Sequence, residues 1–300
     1  MLFLGVEDKK LVAILGSTAV GKTDLAIKLA EQLYTEIISA DSRQIFKELE
    51  IGTAKPTREE LARVKHHFIN TKSIEEEYDA QRYGVDAYEL IVKLFQRLDV
   101  VVLCGGSGLY VKSLLEGFDE MPQIPAGLRE SIVRDYELKG LTWLQDELNK
   151  LDPTCFAQID RQNPQRLIRA VEINRASGKP VGSFRSNSKK ELPFEVIKVG
   201  LELPRGELYQ RIDDRMDAMI AKGLFEEAAK FYPQKHLNAL QTVGYQEIFG
   251  FMDGEYDREE TIRLLKRNSR HFAKRQMTWF KRDKDIRWIH PNEFKIESIF

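Results

Sequence analysis

The segment GSTAVGKT at 16–23 constrains the fold of this chain more than any other feature. It follows the apolar run Leu11–Leu15 and precedes an amphipathic stretch, Asp24–Leu33, so a glycine-rich loop lies between a strand and a helix, the context in which this pattern cradles phosphate oxygens. Glycines at 16 and 21 let backbone N–H groups point inward, and the helix N-terminus adds partial positive charge. Lys22 supplies a full charge and Thr23 a hydroxyl suited to magnesium. Gly16, Ser17, Thr18, Ala19, Val20, Gly21, Lys22 and Thr23 are therefore the candidate diphosphate-binding residues. In a phosphate-loop hydrolase, a second apolar strand ends in an acid that positions metal and water. Here the strand that could supply it, Val100–Leu103, runs into Cys104-Gly105-Gly106-Ser107-Gly108. The chain has the grip for a diphosphate without the acid for hydrolysis.

Alternation continues beyond the loop. The short run Glu36–Ser39, a helical stretch at Ala80–Leu98 and the strand Val100–Leu103 predict a parallel sheet flanked by helices, a phosphate-loop NTPase-like α/β core. After Phe118 the texture changes: EMPQIP at 120–125 carries two prolines, and the pattern to about Lys190 is helical without a strand. Its best-delimited helix has Asn163 as N-cap, Pro164 at the first position, and Gly178 and Pro180 past the end. PFEVIKVGLEL at 193–203 reads as a strand returning to the first sheet. The expected division is a discontinuous core of residues 1–119 and 195–300 around a helical insertion at 120–194. The remainder is mostly helical and contains a basic segment, Arg263–Lys284, interrupted by Phe272, Trp279 and Phe280.

Composition narrows the class. The 300 residues are 42% hydrophobic and 31% charged, ordinary for a globular protein. No apolar run approaches the roughly 20 residues of a membrane span, and MLFLGVEDKK is too short and too soon acidic for a signal peptide; a cytoplasmic, non-membrane protein is expected. Cys104 and Cys155, the two cysteines, make neither a zinc set nor a disulfide framework and read as reduced, mostly buried thiols. The formal charge of −1 does not exclude a nucleic-acid partner, because a balanced total can contain a basic stripe.

Asp41, in IISADSRQIF at 37–46, falls just past the second strand. The C-terminal strand ends of an open parallel sheet face the ligand crevice, so Asp41 and the phosphate loop should converge. Asp41 can act as a base there, or it can bond the following loop backbone as a cap; the two roles are compatible. Gly105-Gly106-Ser107-Gly108-Leu109-Tyr110 follows another strand and brings a third loop to the same edge. On these residues alone a small-molecule or nucleoside kinase, with Asp41 deprotonating a hydroxyl, is a competing reading. So is a nucleotide-gated RNA-binding switch without catalysis.

GSTAVGKT, ISADSRQIFKELEIGTAKP at 38–56, CGGSGLYVKSLLEG at 104–117, NPQRLIRAVE at 163–172, VGYQE at 243–247 and KRQMTWF at 274–280, in this order, resemble the bacterial tRNA dimethylallyltransferase (tRNA isopentenyladenosine transferase) family. The family commonly has threonine where this chain has Ser107. Its eukaryotic members carry an added zinc finger, for which this chain has no cysteine pairs.

The resemblance implies transfer of a dimethylallyl group from dimethylallyl diphosphate to the exocyclic amine of the adenosine immediately 3′ of the anticodon, in tRNAs reading codons that begin with U. It implies Asp41 as base, Thr18 near the reacting amine, and a diphosphate held by the loop, Lys22, Arg215 and Mg²⁺ on Thr23. It assigns tRNA contacts to Asp41, Ser42, Arg43, Gln44 and Ser107, to Arg129 and the segment Gln165, Arg166, Leu167, Ile168, Arg169, and to Gln241, Thr242, Val243, Gly244, Tyr245 and Gln246. The partners are then the tRNA anticodon stem-loop and dimethylallyl diphosphate, with the chain acting as a monomer. Without the resemblance, Arg215 would read as a solvated or salt-bridged helix residue and Arg169 as an intrahelical partner of Glu172; Arg263–Lys284 groups cations with stacking-capable rings and so suits phosphate contact, with core-facing Phe272 and Trp279, seven apart, as the alternative.

Overall fold

The structure, a computed structural model, describes residues 8–119, 121–184 and 190–298. Most of the N-terminal stretch read against a signal peptide, residues 1–7, and Glu120 at the expected domain boundary lie outside the described residues. The chain divides into two compact units, residues 1–117 with 191–300, and residues 118–190.

In the larger unit β1 (Lys10–Gly16) leads through the phosphate loop into α1 (Lys22–Gln32), then β2 (Ile37–Ser39), α2 (Arg58–Arg63), β3 (His66–His67), α3 (Ala80–Leu94), β4 (Val100–Gly105) and α4 (Gly108–Glu116). The chain returns as β5 (Glu195–Leu201), α8 (Arg205–Ala221), α9 (Leu224–Phe231), α10 (Tyr245–Met252), α11 (Arg258–Phe280) and β6 (Arg287–Ile289). Six parallel strands lie in the order β3-β2-β4-β1-β5-β6. Side chains alternate across a strand. On β1, Leu11, Ala13 and Leu15 enter a core with α3, α4 and α9–α11 residues, while Val12 and Ile14 enter another with α1 and α8 residues. Burial on both faces explains why β1 reads as an unbroken apolar run. Return of the chain beside β1 is direct: Leu15 pairs with Gly200 on β5 and with Gly105 on β4.

Local chemistry fixes the helix ends. Asp79 caps α3 by accepting from Arg82 N, and Tyr83, Ala87, Ile91 and Leu94 form its buried stripe. The helix stops at Leu94, short of the expected Leu98, and Phe95–Leu98 complete it as turns. Strands β3 and β6, of two and three residues, carry no periodic signal and are additions to the expected sheet.

The smaller unit, described by itself, holds α5 (Leu128–Leu151), α6 (Pro153–Gln158) and α7 (Pro164–Ser177). A φ of 80° at Gly140 breaks α5 into two. Ile132, Leu144, Leu148, Leu167, Ile168 and Val171 make its core. Buried Asp152 joins the pieces, accepting from Cys155 N at 2.9 Å and Val181 N at 2.8 Å. Asn163 caps α7 and left-handed Gly178 ends it. No described helix is long and apolar enough to cross a membrane. Cys104 and Cys155 form no disulfide and are of intermediate burial.

Candidate functional site

β2, β4 and β1 are neighbours in the sheet, so the loops leaving their C-terminal ends meet. They line a cavity of about 370 Å³ that includes Thr18, Lys22, Thr23, Asp41, Ser42, Ser107 and Arg215. The backbones here approach closely: a Cβ on Gly105 would stand 2.2 Å from Ala40 O, so the β2–β4 crossing requires glycine. Tyr83, fully buried and stacked on Tyr110 with centroids 4.4 Å apart, donates to Ser39 O at 3.0 Å. That bond anchors the end of β2 just ahead of Asp41.

The phosphate loop turns through left-handed conformations at Ala19 (φ 62°) and Gly21 (φ 99°). A non-glycine residue held at positive φ marks strain stored at a functional loop. Lys22 Nζ donates to Ser17 O at 2.5 Å. Burial pulls the Lys22 pKa down to about 8, against Cys104 and Asp41, which raise it, with Arg215 lowering it further. The Ser17 hydroxyl is buried and has no hydrogen-bond partner among the described residues, the state of a polar group that waits for a ligand. Thr23 and Lys22 also line an adjoining cavity of about 310 Å³ with Lys55, Arg211 and Arg215. Burial lowers the Arg215 pKa, countered by Asp41 and Glu60. Arg215 nonetheless faces the site, its Nη1 3.5 Å from Thr18 Oγ1 and its Nη2 3.4 Å from Ala54 O. The Cys104 thiol is pushed up to about 11 by burial, so it stays protonated near neutrality and is a wall of the cavity rather than a nucleophile.

Asp41 divides its two oxygens. Oδ1 accepts from Arg43 N at 2.9 Å and Gln44 N at 3.1 Å, the capping arrangement; Oδ2 makes no hydrogen bond to another described residue. Ser107 Oγ accepts from Ser42 N at 2.9 Å and lies 3.2 Å from Ser42 Oγ, so the hydroxyl that serine shares with threonine is the atom this contact uses. Arg43 reaches Gln241 O at 3.4 Å, and Gln246 Nε2 donates to Gln241 Oε1 at 2.6 Å. Two sequence-distant segments carried over by resemblance thereby adjoin.

Several carried-over residues have no side chain to offer a ligand. Leu167 and Ile168 are in the core of the smaller unit, and Tyr245 is fully buried with its hydroxyl donating to Glu227 at 2.6 Å. The side chains of these three are turned into the protein, and what assigns them to tRNA is the resemblance alone. An apolar or aromatic residue on the core-facing stripe of an amphipathic helix is buried by that packing, whatever motif contains it. Gly244 and Val243 serve the N-terminal turn of α10, where Glu247 caps Gly244 N. Arg129 binds Glu172 and Gln165, and Arg169 binds Glu172 at 3.3 Å, the pairing expected of Arg169 without the resemblance. Arg166 is exposed and has no ion pair among the described residues. On α11, Arg263, Lys266 and Arg270 pair with Glu260, Asp217 and Asp213, so the basic segment is only partly available to phosphate. Trp279 packs on Gly108 and the core, whereas Phe272 is 38% exposed, lines the cavity and lies beneath Arg275. The two rings share a helix face but meet different neighbours along it.

Two residues of the site escaped the sequence reading. Glu227 accepts from Ile51 N at 2.8 Å and Gly52 N at 2.9 Å, besides Tyr245, holding the loop whose Thr53 and Ala54 carbonyls bind Gln44. Gln276, in KRQMTWF, is buried and bonds both Thr18 N and Gly106 O.

A diphosphate grip and a carboxylate, with a glycine loop on the strand between them where a hydrolase has its acid, define a group-transfer site on the phosphate-loop fold. A family model described as IPP transferase matches residues 44–283. The chain is 52% identical over 293 residues to the tRNA dimethylallyltransferase of Cytophaga hutchinsonii, spanning 98% of this chain and 96% of that protein. It is 46% identical to tRNA dimethylallyltransferase 2 of Parabacteroides distasonis, over 97% and 96% of the two. Among solved structures, the full-length tRNA isopentenylpyrophosphate transferase of Bacillus halodurans is similar with a TM-score of 0.70 and 36% identity, over 97% of this chain and 92% of that one. A eukaryotic dimethylallyltransferase acting on tRNA gives 0.76 and 26%, over 94% and 74%. The chain belongs to the IPP transferase family and is an enzyme of the tRNA dimethylallyltransferase class.

Proposed function

We infer that this chain moves a dimethylallyl group from dimethylallyl diphosphate to the exocyclic amine of a tRNA adenosine near the anticodon, the one immediately 3′ of it. The observation that carries the reading is the shared cavity: the phosphate loop and Asp41 open onto it together, and no acid ends β4. In the transfer, the allylic C–O bond breaks with its electron pair leaving on the diphosphate. The amine lone pair forms the C–N bond, and the amine proton passes to a base. Loop amides, Lys22 and Arg215 would stabilise the leaving charge, a preorganised arrangement of the kind that lowers such barriers most. Asp41 suits the base, because two backbone N–H groups pin Oδ1 and leave Oδ2 for the proton.

A divalent ion fits the residues present. No group of three or more His, Cys, Asp or Glu side chains able to hold a metal occurs among the described residues. Thr23, at the start of α1, would instead hold Mg²⁺ together with oxygens of the diphosphate, the manner in which magnesium binds beside phosphates. When bound, the ion offsets charge on the departing diphosphate. The buried Ser17 hydroxyl, lacking a partner, supports an oxygen-rich ligand in the same cradle.

The acceptor adenine must leave its stack to reach the cavity, at a cost of a few kcal/mol. Ser42, Arg43, Gln44, Gln241, Thr242 and Gln246 border that cavity and would contact the extruded base and its neighbours, with Phe272 offering a stacking surface. Exposed Arg166 would contact the RNA backbone from the smaller unit.

Asp41→Asn tests the base. The variant should bind donor as the parent does and lose about 10²- to 10⁴-fold in single-turnover transfer. A near-normal chemical rate would remove Asp41 from that role.

A further inference from the structure

We propose that Gln276 is a positioning residue that sets the spacing between the donor-holding and acceptor-holding halves of the site. The proposal rests on the transfer reading above. Gln276 lies on α11 and is 8% exposed. Its Oε1 accepts from Thr18 N at 2.8 Å, within the phosphate loop. Its Nε2 donates to Gly106 O at 2.9 Å, in the loop after β4. One planar amide therefore spans two loops that come from different strands and otherwise end in irregular backbone.

Each end of the amide continues into a half of the chemistry. On the donor side, the Thr18 hydroxyl faces Arg215, and the loop continues to Lys22. On the acceptor side, Gly106 precedes Ser107, whose N–H donates to Ala40 O at 3.1 Å and whose hydroxyl accepts from Ser42 N. Ala40 and Ser42 flank Asp41. Gln276 is thus connected to the residues on either side of the base and to the loop that grips the leaving group; it borders the cavity, and both ends of its amide are taken up by these two bonds.

The contact is close-fitting. A Cβ at Gly106 would stand 2.4 Å from Gln276 Nε2, so the glycine makes room for the amide. The length also matters: a glutamine reaches both partners, and the amide supplies one acceptor and one donor in the required order. No aliphatic or carboxylate side chain of the same size offers that pair.

Bond formation between two separately held substrates depends on their reacting atoms meeting in a near-attack geometry, and a misplacement of about 1 Å can cost roughly 10²-fold in rate. A residue that fixes the spacing affects that geometry and leaves each binding surface in place. Loss of Gln276 should therefore separate rate from affinity.

The test compares the unaltered chain with Gln276→Met, which fills the space without either bond, and Gln276→Asn, one methylene too short to span both loops. Dissociation constants for dimethylallyl diphosphate and for unmodified tRNA are measured separately from the single-turnover rate with both saturating. The expected result is a rate about 10²-fold lower, with each dissociation constant within about threefold of the parent. Hydrogen exchange at the Thr18 amide should accelerate in the same variants. A rate within about threefold of the parent in a folded variant, or a rate loss that follows donor affinity alone, overturns the proposal. If Gln276→Met does not fold, Gln276→Asn is judged by the same criteria. Absence of transfer by the unaltered chain would instead reject the functional reading, and the proposal with it.

Discussion

Lys22 combines two demands that oppose each other. It must be charged to grip a diphosphate, yet burial lowers its pKa to about 8 from 10.5. Below about pH 8 the free, folded protein carries this ammonium at a cost. Between about 8 and 10.5 the unfolded chain holds a proton that the folded chain has released, so this group makes the free protein more stable as pH rises through that window. Diphosphate reverses the preference by supplying the missing counter-charge. Donor binding should therefore take up a proton near pH 8 to 9, and affinity should fall by up to about tenfold per unit above about pH 8. Calorimetry in buffers of different ionisation enthalpy reads both. An affinity that is flat from about pH 7 to about pH 9.5, without proton uptake, contradicts the assignment. At this scale the sequence was informative where a function is local. The loop, Lys22 and Asp41 follow their strands within a few residues. It was silent on Gln276, whose two partners are 258 and 170 positions away, because a pairing of that kind is created only by folding.

Elements decide which motif residues can serve the site. In α7 and α10 the family-like segments include buried positions, so Leu167, Ile168 and Tyr245 stabilise the helices that present Arg166 and Gln246. Such positions follow from the 3.6-residue period, which assigns a core face irrespective of a motif match. Strands β3 and β6 were illegible for a different reason: two or three residues at a sheet edge provide no alternation to detect. Glu227 shows what an ordinary amphipathic helix can conceal. It sits in α9 as one of two adjacent glutamates, and only the approach of residues 50–52 and Tyr245 reveals its four hydrogen bonds. Glu227→Ala would remove the acceptor of three part-buried backbone N–H groups and should destabilise the protein by about 2 kcal/mol, against about 1 kcal/mol for Tyr245→Phe. Denaturant unfolding measures both. Equal, negligible effects would mean that the loop is held by other contacts.

At the scale of the whole molecule, the parallel sheet was readable from strand–helix alternation, and so was the change to helical texture after Phe118. The compact units break at 117/118 and 190/191, two and four residues before the expected positions. Proline-rich and strand-like text marks where regular structure begins, whereas packing decides where each unit ends. The complete assembly, a phosphate loop beside a carboxylate on one cavity, was first recognisable as a combination of strand ends, and the central claim is what that combination does. Incubation of the protein with unmodified tRNA and dimethylallyl diphosphate, followed by mass spectrometry of the released nucleosides, tests it most directly. The account predicts one dimethylallyl group added to the adenosine next to the anticodon, with diphosphate released in equal amount. Unaltered adenosine, with the donor intact after incubation with folded protein and magnesium, would contradict it.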